Sequence, residues 1–272
     1  MQSLISELRC QGKRIALVPT MGYLHEGHLS LIDLARAHAD IVIVSIFVNP
    51  KQFGPNEDFI RYPRDAKRDR RLCKKRGVDI IFAPKEELFY PDSFSTYVDE
   101  EDISSDLCGV SRPGHFRGVC TAVTKLFNVI QPNSVVLGQK DAQQVAIIRK
   151  LINDLNFSVD ILVGPTVRDP DGLAMSSRNI FFSARQRQAA LTIYQSLELA
   201  KELVDKKGVT YASRIVAEVS NALCRSLKIR VIYVVLVDRD TMKSLNEVVP
   251  GSTLLAVAVW VDQVRLIDNI EL

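Results

Sequence analysis

The sequence predicts an α/β protein with a parallel sheet, followed by a smaller α+β domain towards the C-terminus. Over the first 165 residues, strand-like and helix-like patterns alternate, which is typical of a parallel sheet covered by helices. The segment Ile41–Val48 is apolar at nearly every position, as expected for a strand buried on both faces. Beyond about residue 165, helices are followed by strands. We therefore expect domains over residues 1–165 and 166–272.

The strands of the first domain are predicted from short apolar runs at residues 15–19, 41–48, 79–82, 134–137 and 159–163. Apolar residues at helical spacing predict helices over about residues 119–131 and 142–155. We expect their apolar stripes to lie in the core. The first stripe contains Val119, Ala122, Val123, Leu126, Phe127 and Ile130, and the second contains Val145, Ile148, Leu151, Ile152 and Leu155.

The second domain is predicted to contain helices near residues 184–206 and 211–227, followed by strands at 229–237, 253–261 and 264–268. Ser183 and Gln186 have the spacing of a capping box, in which each side chain bonds the backbone of the other residue. This pair predicts where the first of these helices begins.

The charge balance and the cysteine content argue against a nucleic-acid-binding protein and against a fold held by disulfides or zinc. The chain of 272 residues has 35 basic and 32 acidic residues, a formal charge of +3, which is too balanced to favour a nucleic-acid partner. The basic run Lys67–Arg76 is expected to be a solvated helix face. Five cysteines without a Cys-x-x-Cys pair argue against a disulfide framework or a zinc knuckle and favour a reducing cytoplasm.

No segment has the character of a signal peptide or a membrane span. Residues 1–14 carry polar and charged side chains throughout, and no apolar run approaches the roughly 20 residues that cross a bilayer. We therefore expect a protein that is neither secreted nor embedded in a membrane.

The sequence His25-Glu26-Gly27-His28 follows the first strand and precedes a helix predicted to start at about Gly27. Unpaired N–H groups and the dipole at a helix N-terminus favour an anion such as phosphate. The dipole alone contributes only roughly 0.3–1 kcal/mol at an exposed site. The imidazoles can supply further donors, and Gly27 lets the backbone approach the ligand.

Three more polar clusters follow predicted strands, at the sheet edge where ligands of open α/β sheets bind. They contain Asn49, Gln52 and Tyr62; Gly138, Gln139, Lys140, Asp141 and Gln144; and the loop from Val167 to Met175-Ser176-Ser177-Arg178. We hypothesise a nucleoside triphosphate held by the helix that contains His28 and by Lys140, Ser176, Ser177 and Arg178. The uncharged amides of Gln52 and Gln144 suit a small polar second substrate.

Each cluster also has a purely structural interpretation. Two histidines three residues apart could bind a metal, but no third ligand has a suitable spacing, so we expect no protein-bound metal. The glutamines could be surface amides, Lys140 and Asp141 a solvated pair, and residues 176–178 a plain turn. Neither a Gly-x-x-x-x-Gly-Lys-Ser/Thr loop nor a Gly-x-Gly-x-x-Gly motif after a strand is present, which excludes P-loop ATPases and argues against dinucleotide-binding oxidoreductases.

Six segments together carry a family resemblance: Val18–His28, Phe47–Gly54, Arg61–Arg64, His115–Val119, Gly138–Gln144 and Asp171–Asn179. In this order they resemble the pantoate–β-alanine ligases, or pantothenate synthetases, of the nucleotidyltransferase superfamily. The histidine motif alone is shared with other nucleotidyltransferases and class I aminoacyl-tRNA synthetases. The resemblance runs nearly end to end and implies a Rossmann-like, nucleotide- and pantoate-binding first domain and a C-terminal lid domain.

The resemblance implies an ATP-dependent ligase of pantothenate biosynthesis. Pantoate would attack the α-phosphate and release pyrophosphate, and β-alanine would then attack the pantoyl adenylate and release AMP. The resemblance further implies a homodimer, and Mg²⁺ bound with ATP chiefly by phosphate and water.

Residue roles also come from the resemblance. His28 is the expected proton donor with His25 beside it on the phosphates, and Lys140 and Arg178 suit phosphate oxygens. Gln52 and Gln144 would hold pantoate, with Gln52 also near β-alanine, and we expect Asn49 and Tyr62 in the same substrate site. Asp141 suits the ribose hydroxyls. The implied ATP-binding residues are Met21, Gly22, Tyr23, Leu24, His25, Glu26, Gly27, His28, Gly138, Gln139, Lys140, Asp141, Val167, Met175, Ser176, Ser177 and Arg178.

This chain departs from the usual family pattern at Gln139, where a carboxylate is common, and at Ala142, where an aromatic is common. We expect these changes to affect affinity or local packing rather than the reaction.

Other functions fit less well. A nucleotidyltransferase acting on a phosphorylated acceptor should have more basic residues than Gln52 and Gln144 provide. A class I synthetase would need a surface for tRNA, which the balanced charge does not suggest. A non-catalytic nucleotide-binding module would have no need for His28, Lys140 and Arg178 around the phosphates.

Overall fold

The computed structural model describes residues 1–55 and 57–272 and has the predicted fold class, a parallel sheet and a separate small C-terminal sheet. The chain forms two compact units. Residues 1–139 and 147–165 make the first unit, and residues 140–146 and 166–272 make the second. The domain limits expected from the sequence stay a prediction. Among the described residues, no helix is both long and apolar enough to cross a membrane.

Up to residue 165, helices and strands alternate as the patterns predict. In chain order they are α1 (Gln2–Cys10), β1 (Ile15–Thr20), α2 (Glu26–His38), β2 (Ile41–Ile46), α3 (Ala66–Lys75), β3 (Ile80–Phe82), α4 (Glu86–Phe89), α5 (Cys108–Ser111), α6 (His115–Ile130), β4 (Ser134–Gly138), α7 (Ala142–Asp154) and β5 (Asp160–Gly164). Short 3-10 turns cover Pro50–Gln52, Ile103–Ser105 and Gln139–Asp141.

The five strands pair in the order β3-β2-β1-β4-β5, and every pair is parallel. From β1 the chain builds outwards through β2 and β3, then returns to add β4 and β5 on the other side of β1. The carboxyl ends of β1 and β4 therefore flank the point where the strand order reverses. In open α/β sheets this is the place where a crevice for ligands opens.

The predicted core stripe of α6 is confirmed, since all six of its predicted residues are buried. The helix begins at His115, four residues before the predicted stripe starts. In α7 the prediction for Leu155 is wrong. That helix ends at Asp154, and the Leu155 side chain is 47% exposed.

The second strand is shorter than the sequence predicts, because β2 ends at Ile46 rather than at Val48. Phe47 still donates its backbone N–H to the Thr20 carbonyl at 3.0 Å. Its ring packs on Phe89, with 4.6 Å between the ring centroids. The chain then turns away from the sheet and begins the Pro50–Gln52 turn.

The second unit has helices α8 (Ala184–Asp205) and α9 (Ala212–Cys224) and an antiparallel sheet of β6 (Ile229–Asp238), β7 (Thr253–Val261) and β8 (Val264–Glu271). The capping box of Ser183 and Gln186 is confirmed at the start of α8. The core of this unit includes Ile193, Leu197 and Ile215, each at most 2% exposed.

Candidate active site

The two histidines of the predicted anion site lie at the N-terminal end of α2, directly after β1. The helix begins at Glu26, with His25 as its extended N-cap residue. The His25 backbone N–H donates to Nδ1 of His28 at 3.3 Å, and the two imidazole centroids are 4.0 Å apart. Because Nδ1 of His28 accepts this bond, the neutral imidazole carries its proton on Nε2. His28 therefore has an N–H donor on its remaining ring nitrogen.

Gly22 gives the loop between β1 and α2 its shape. Its φ of +80° lies in the left-handed region, which other residues rarely adopt, and a Cβ would lie 2.9 Å from Cγ2 of Ile46. The Gly22 N–H donates to Oγ1 of Thr20 at 3.1 Å, and that hydroxyl donates to the Ser45 carbonyl at 2.8 Å. The start of the loop that leads into α2 is thus fixed to the ends of β1 and β2.

Asp69 supports the same loop, although no motif in the sequence predicts this role. Its carboxylate is buried in α3 and accepts the backbone N–H groups of Tyr23 and Leu24, each at 2.8 Å. The basic run on α3 is largely solvated as predicted, but Asp69 and Cys73 face inwards. Their spacing of four residues within a charged helix is the signal that could have found them.

Met21, Asn49 and Gln52 are brought together at the ends of β1 and β2. Nε2 of Gln52 donates to Sδ of Met21 at 2.9 Å, and Nδ2 of Asn49 donates to Oε1 of Gln52 at 3.1 Å. Tyr62 is buried, with its ring 5.9 Å from that of Phe53. Met21, which follows β1, therefore shares one hydrogen-bond network with Asn49 and Gln52, which follow β2.

The backbone of Gln52 is held by residues that the sequence did not connect with it. Nη1 of Arg112 donates to Nε2 of His115 at 2.9 Å, because a guanidinium can only donate. Nδ1 of His115 therefore carries the proton and donates to the Gln52 carbonyl at 2.8 Å. Arg112 also forms an ion pair with Glu57, with 2.7 Å between Nη2 and Oε2. His115 has a structural partner here, and across the described residues no three His, Cys, Asp or Glu side chains converge as metal ligands.

The residues after β4 are divided between the two units. Gly138 and Gln139 belong to the first, where a Cβ on Gly138 would lie 3.8 Å from Cδ1 of Leu31 on α2. Lys140 and Asp141 belong to the second unit and are 3.7 Å apart between Nζ and Oδ1. The Lys140 side chain is 21% exposed and that of Asp141 is 48% exposed, so Asp141 is the more solvated member of the pair. Gln144 is half-buried in the second unit.

The loop from Val167 to Arg178 is a hairpin-like turn within the second unit. Arg168 and Ala174 pair as an isolated antiparallel β-bridge, and the Val167 carbonyl accepts the Met175 N–H at 3.0 Å. Arg168 also forms a bidentate ion pair with Asp268, with N···O distances of 2.6 and 3.1 Å.

Ser176, Ser177 and Arg178 start the 3-10 turn Ser177–Phe181 at the end of that loop. Oγ of Ser176 accepts the Arg178 N–H at 3.3 Å, and Ser177 is buried. Residues 176–178 therefore start a regular 3-10 turn with Ser176 as its N-cap residue.

The first unit thus places a helix N-terminus, with two imidazoles beside it, at the reversal point of its sheet. Backbone N–H groups of a first helical turn, with an imidazole N–H beside them, stabilise negative charge on phosphate oxygens. Beside it, the Gln52 amide can hydrogen-bond an uncharged or carboxylate-bearing substrate. This arrangement suits transfer chemistry at a phosphate.

Comparison with known proteins agrees with these features. The family profile described as Pantoate-beta-alanine ligase matches residues 1–271. Pantothenate synthetase of Thermotoga petrophila is 53% identical over 269 residues, covering 99% of this chain and 95% of the relative. The pantothenate synthetase of Moorella thermoacetica is 50% identical over 271 residues, covering 100% of this chain and 95% of the relative.

Solved structures show the same similarity. The crystal structure of pantothenate synthetase from Thermus thermophilus has a TM-score of 0.92 at 42% identity, covering 98% of this chain and 97% of that one. Pantoate-beta-alanine ligase from Francisella tularensis, complexed with beta-gamma ATP and beta-alanine, has a TM-score of 0.80 at 34% identity, covering 99% of this chain and 95% of that one.

Proposed function

The chain belongs to the Pantoate-beta-alanine ligase family, and we propose that the N-terminal end of α2 is where it activates the carboxylate of pantoate. The enzyme is a ligase that forms pantothenate from pantoate and β-alanine with consumption of ATP. The observation that carries the proposal is the geometry of His28. Its Nδ1 accepts the His25 N–H, which places the ring proton on Nε2, at a helix end that favours phosphate.

We propose two chemical steps at this site. First, a carboxylate oxygen of pantoate attacks the α-phosphate of ATP, the bond to the β-phosphate oxygen breaks, and pyrophosphate leaves. Second, the amine of β-alanine attacks the acyl carbon of the adenylate, AMP leaves, and the amine loses a proton. Replacing a carboxylate oxygen by a good leaving group splits one difficult condensation into two easier steps.

In the first step, His28 donates its Nε2–H to oxygens that gain negative charge on the triphosphate, with His25 beside it. Asp69 acts indirectly by holding the Tyr23 and Leu24 amides, which fixes the loop that leads into α2. The Gly22 turn lets the backbone of the loop come near the nucleotide. The protein's contribution is positioning and stabilisation of charge rather than covalent chemistry.

The roles of the remaining residues are proposals that rest on the family resemblance. Lys140 and Arg178 bind phosphate oxygens, Asp141 the ribose hydroxyls, and Gln52 and Gln144 pantoate, with Tyr62 in the same substrate site. Met21–His28, Gly138, Gln139, Val167 and Met175–Ser177 complete the ATP site. Gln139 and Ala142 adjust affinity or packing without changing the reaction.

We propose that Mg²⁺ arrives with ATP. The described residues offer no converging set of three acidic, histidine or cysteine ligands, so the donor set fits a metal held by phosphate and water rather than by a protein cage. The ion would neutralise charge on the triphosphate.

We further propose a homodimer, residues 166–272 as a lid domain, and a cytoplasmic setting. The family resemblance supports the homodimer and the lid domain. The cytoplasmic setting is supported by ATP as substrate and by the five free thiols. Light scattering on the purified protein tests the dimer, for which a monomeric mass would be the contradicting result.

The proposed function is tested by incubating the protein with ATP, Mg²⁺, pantoate and β-alanine and following AMP. We expect AMP in amounts equal to the pantothenate formed. No pantoate-dependent AMP or pyrophosphate from the folded protein would contradict the ligase reaction. Formation of ADP and phosphate would contradict adenylation as the activating step.

A further inference from the structure

Asn49 was expected from the sequence to line the substrate site, yet its side chain is only 2% exposed and its amide is fully engaged within the protein. Oδ1 accepts the Lys51 backbone N–H at 3.2 Å and the Tyr90 hydroxyl at 3.1 Å. Nδ2 donates to the Gly118 carbonyl at 3.0 Å and to Oε1 of Gln52 at 3.1 Å. A side-chain amide has two donor hydrogens and two main acceptor positions, so these four bonds use its whole capacity.

The orientation of the Asn49 amide is imposed by two backbone groups. A backbone N–H can only donate, so the Lys51 N–H requires an oxygen opposite it, and the Gly118 carbonyl requires an N–H donor. Turning the amide over would place two donors together at Lys51 and two acceptors together at Gly118. The amide therefore has a single orientation, and the Tyr90 hydroxyl must donate to it. Burial raises the pKa of Tyr90, which keeps that hydroxyl protonated.

Gly118 makes this arrangement possible by allowing α6 to approach the Pro50–Gln52 turn closely. A Cβ on Gly118 would lie 2.1 Å from the carbonyl oxygen of Lys51, so any other residue would displace that turn. The Gly118 carbonyl is thereby brought within hydrogen-bond distance of Asn49. The local backbone, rather than a bound ligand, sets the polarity of the network.

The orientation of Asn49 passes to Gln52. Since Nδ2 of Asn49 is a donor, Gln52 must present Oε1 to it, and the Gln52 amide nitrogen then lies on the opposite side. There Nε2 donates to Sδ of Met21 at 2.9 Å. A thioether is a weak acceptor, so a substrate oxygen would be a stronger partner for the same group.

We propose that Asn49 is a positioning residue that acts through Gln52, fixing the Gln52 amide so that it offers an N–H donor, not a carbonyl, to an oxygen of pantoate. The inference rests on the proposed function, because it takes the substrate at Gln52 to be pantoate. It revises the expectation that Asn49 itself binds substrate. The fixed orientation of the Gln52 amide also makes the site selective for a substrate that presents a hydrogen-bond acceptor to Nε2 of Gln52, such as a carboxylate or hydroxyl oxygen.

The orientation of Gln52 is tested by Gln52→Glu, which leaves the buried Asn49 untouched. Glutamate keeps an acceptor towards Nδ2 of Asn49 but replaces the outward N–H donor by a carboxylate oxygen. We expect the KM for pantoate to rise at least about tenfold, with the KM for ATP within about twofold. A rise in the KM for pantoate of less than about threefold would overturn the inference, because the N–H donor of Gln52 would then contribute little to binding. Gln52→Met removes the donor without adding a charge and should also raise this KM, which separates loss of the donor from repulsion between the new carboxylate and pantoate. Gln11→Glu, at an exposed position after α1, controls for the change in net charge.

The indirect role of Asn49 is tested by a double-mutant cycle of Asn49→Ser and Gln52→Ala, read as the KM for pantoate. We expect Asn49→Ser to raise this KM in the wild-type background but to change it less than about twofold in the Gln52→Ala background. Multiplicative effects would mean that Asn49 contacts pantoate itself and would overturn the inference. An unchanged KM for pantoate in Asn49→Ser alone would also overturn the inference. The same holds if Asn49→Ser raises the KM for ATP as much as the KM for pantoate. If Asn49→Ser does not fold, the Gln52→Glu result decides.

Failure of this inference can be told apart from failure of the proposed function. The wild-type protein reports on the function, through AMP formed only when pantoate is present. An active wild type with a nearly unchanged KM for pantoate in Gln52→Glu would refute the positioning role alone.

Discussion

At the residue scale, His28 depends on a hydrogen bond that its own sequence motif provides. The spacing of three residues from His25 places Nδ1 of His28 within 3.3 Å of the N-cap amide. That bond selects the tautomer with the proton on Nε2. The His-x-x-His pattern thus explains both the position of the imidazole and its state as a donor.

We expect His28→Ala to lower the rate of pantoate-dependent pyrophosphate release by about 10²–10³, the scale for losing one donor to a developing oxyanion. The measurement is single-turnover release of pyrophosphate at saturating ATP and pantoate. The matched control is His38→Ala, an exposed histidine at the other end of α2. A rate in His28→Ala equal to that of the control would show that His28 does not stabilise the charge.

The cysteines give a second prediction at this scale. Burial raises the pKa of Cys73 to about 11 and that of Cys120 to about 12, while Cys10 and Cys224 are exposed. Only the thiolate reacts, so a raised pKa leaves a very small reactive fraction at pH 8. We expect an alkylating reagent at that pH to modify Cys10 and Cys224 in the native protein and all five cysteines after denaturation, as counted by mass spectrometry. Native labelling of Cys73 as fast as that of Cys10 would contradict its burial.

At the element scale, the site depends on the loop between β1 and α2, which is held by a residue of α3, a helix that comes much later in the chain. The predictions for β1 and α2 succeed because their apolar patterns and turn residues are local signals. The four-residue spacing with Cys73 could have marked Asp69 as an inward-facing residue of α3, but its partner could not be predicted in this way, because Leu24 lies 45 residues earlier in the chain. The bond from His115 to Gln52 likewise spans 63 residues. Such contacts follow from how the strands pair, which the sequence pattern does not specify.

We expect Asp69→Asn to destabilise the loop before α2. Asparagine can accept only one of the two amide hydrogens, and its own NH₂ group then faces the other donor. The loss of a buried, charge-assisted hydrogen bond corresponds to about 1–3 kcal/mol in the free energy of unfolding. Denaturant titration measures it, together with a rise in the KM for ATP, and Asp92→Asn, at an exposed position between α4 and α5, is the control. Equal stability of the two variants would refute the supporting role.

At the scale of the whole molecule, the parallel sheet reverses its strand order between β1 and β4, which places the α2 end at the expected ligand crevice. Alternating patterns predicted a parallel sheet and a separate C-terminal unit. They could not predict that residues 140–146 would group with the second unit, because that division depends on long-range packing. The sequence therefore predicted the fold class better than the grouping of the residues that follow β4.

The metal requirement belongs to this scale, because it concerns the protein together with its nucleotide. We expect Mg²⁺ alone to leave the Tm unchanged, since the described residues form no cluster of metal ligands. ATP with Mg²⁺ should raise the Tm, by mass action on the folded state. Chelation should abolish pyrophosphate release, and added Mg²⁺ should restore it. A rise in Tm with Mg²⁺ in the absence of ATP would indicate a metal site in the protein itself.

Activation of pantoate by adenylation is tested most directly by following an oxygen atom. In the proposed mechanism, the carboxylate oxygen that attacks the α-phosphate stays with that phosphate when β-alanine displaces AMP. Pantoate labelled with ¹⁸O in its carboxylate should therefore yield AMP carrying one ¹⁸O, as measured by mass spectrometry, and unlabelled pyrophosphate. Unlabelled AMP, or label in released phosphate, would contradict the account.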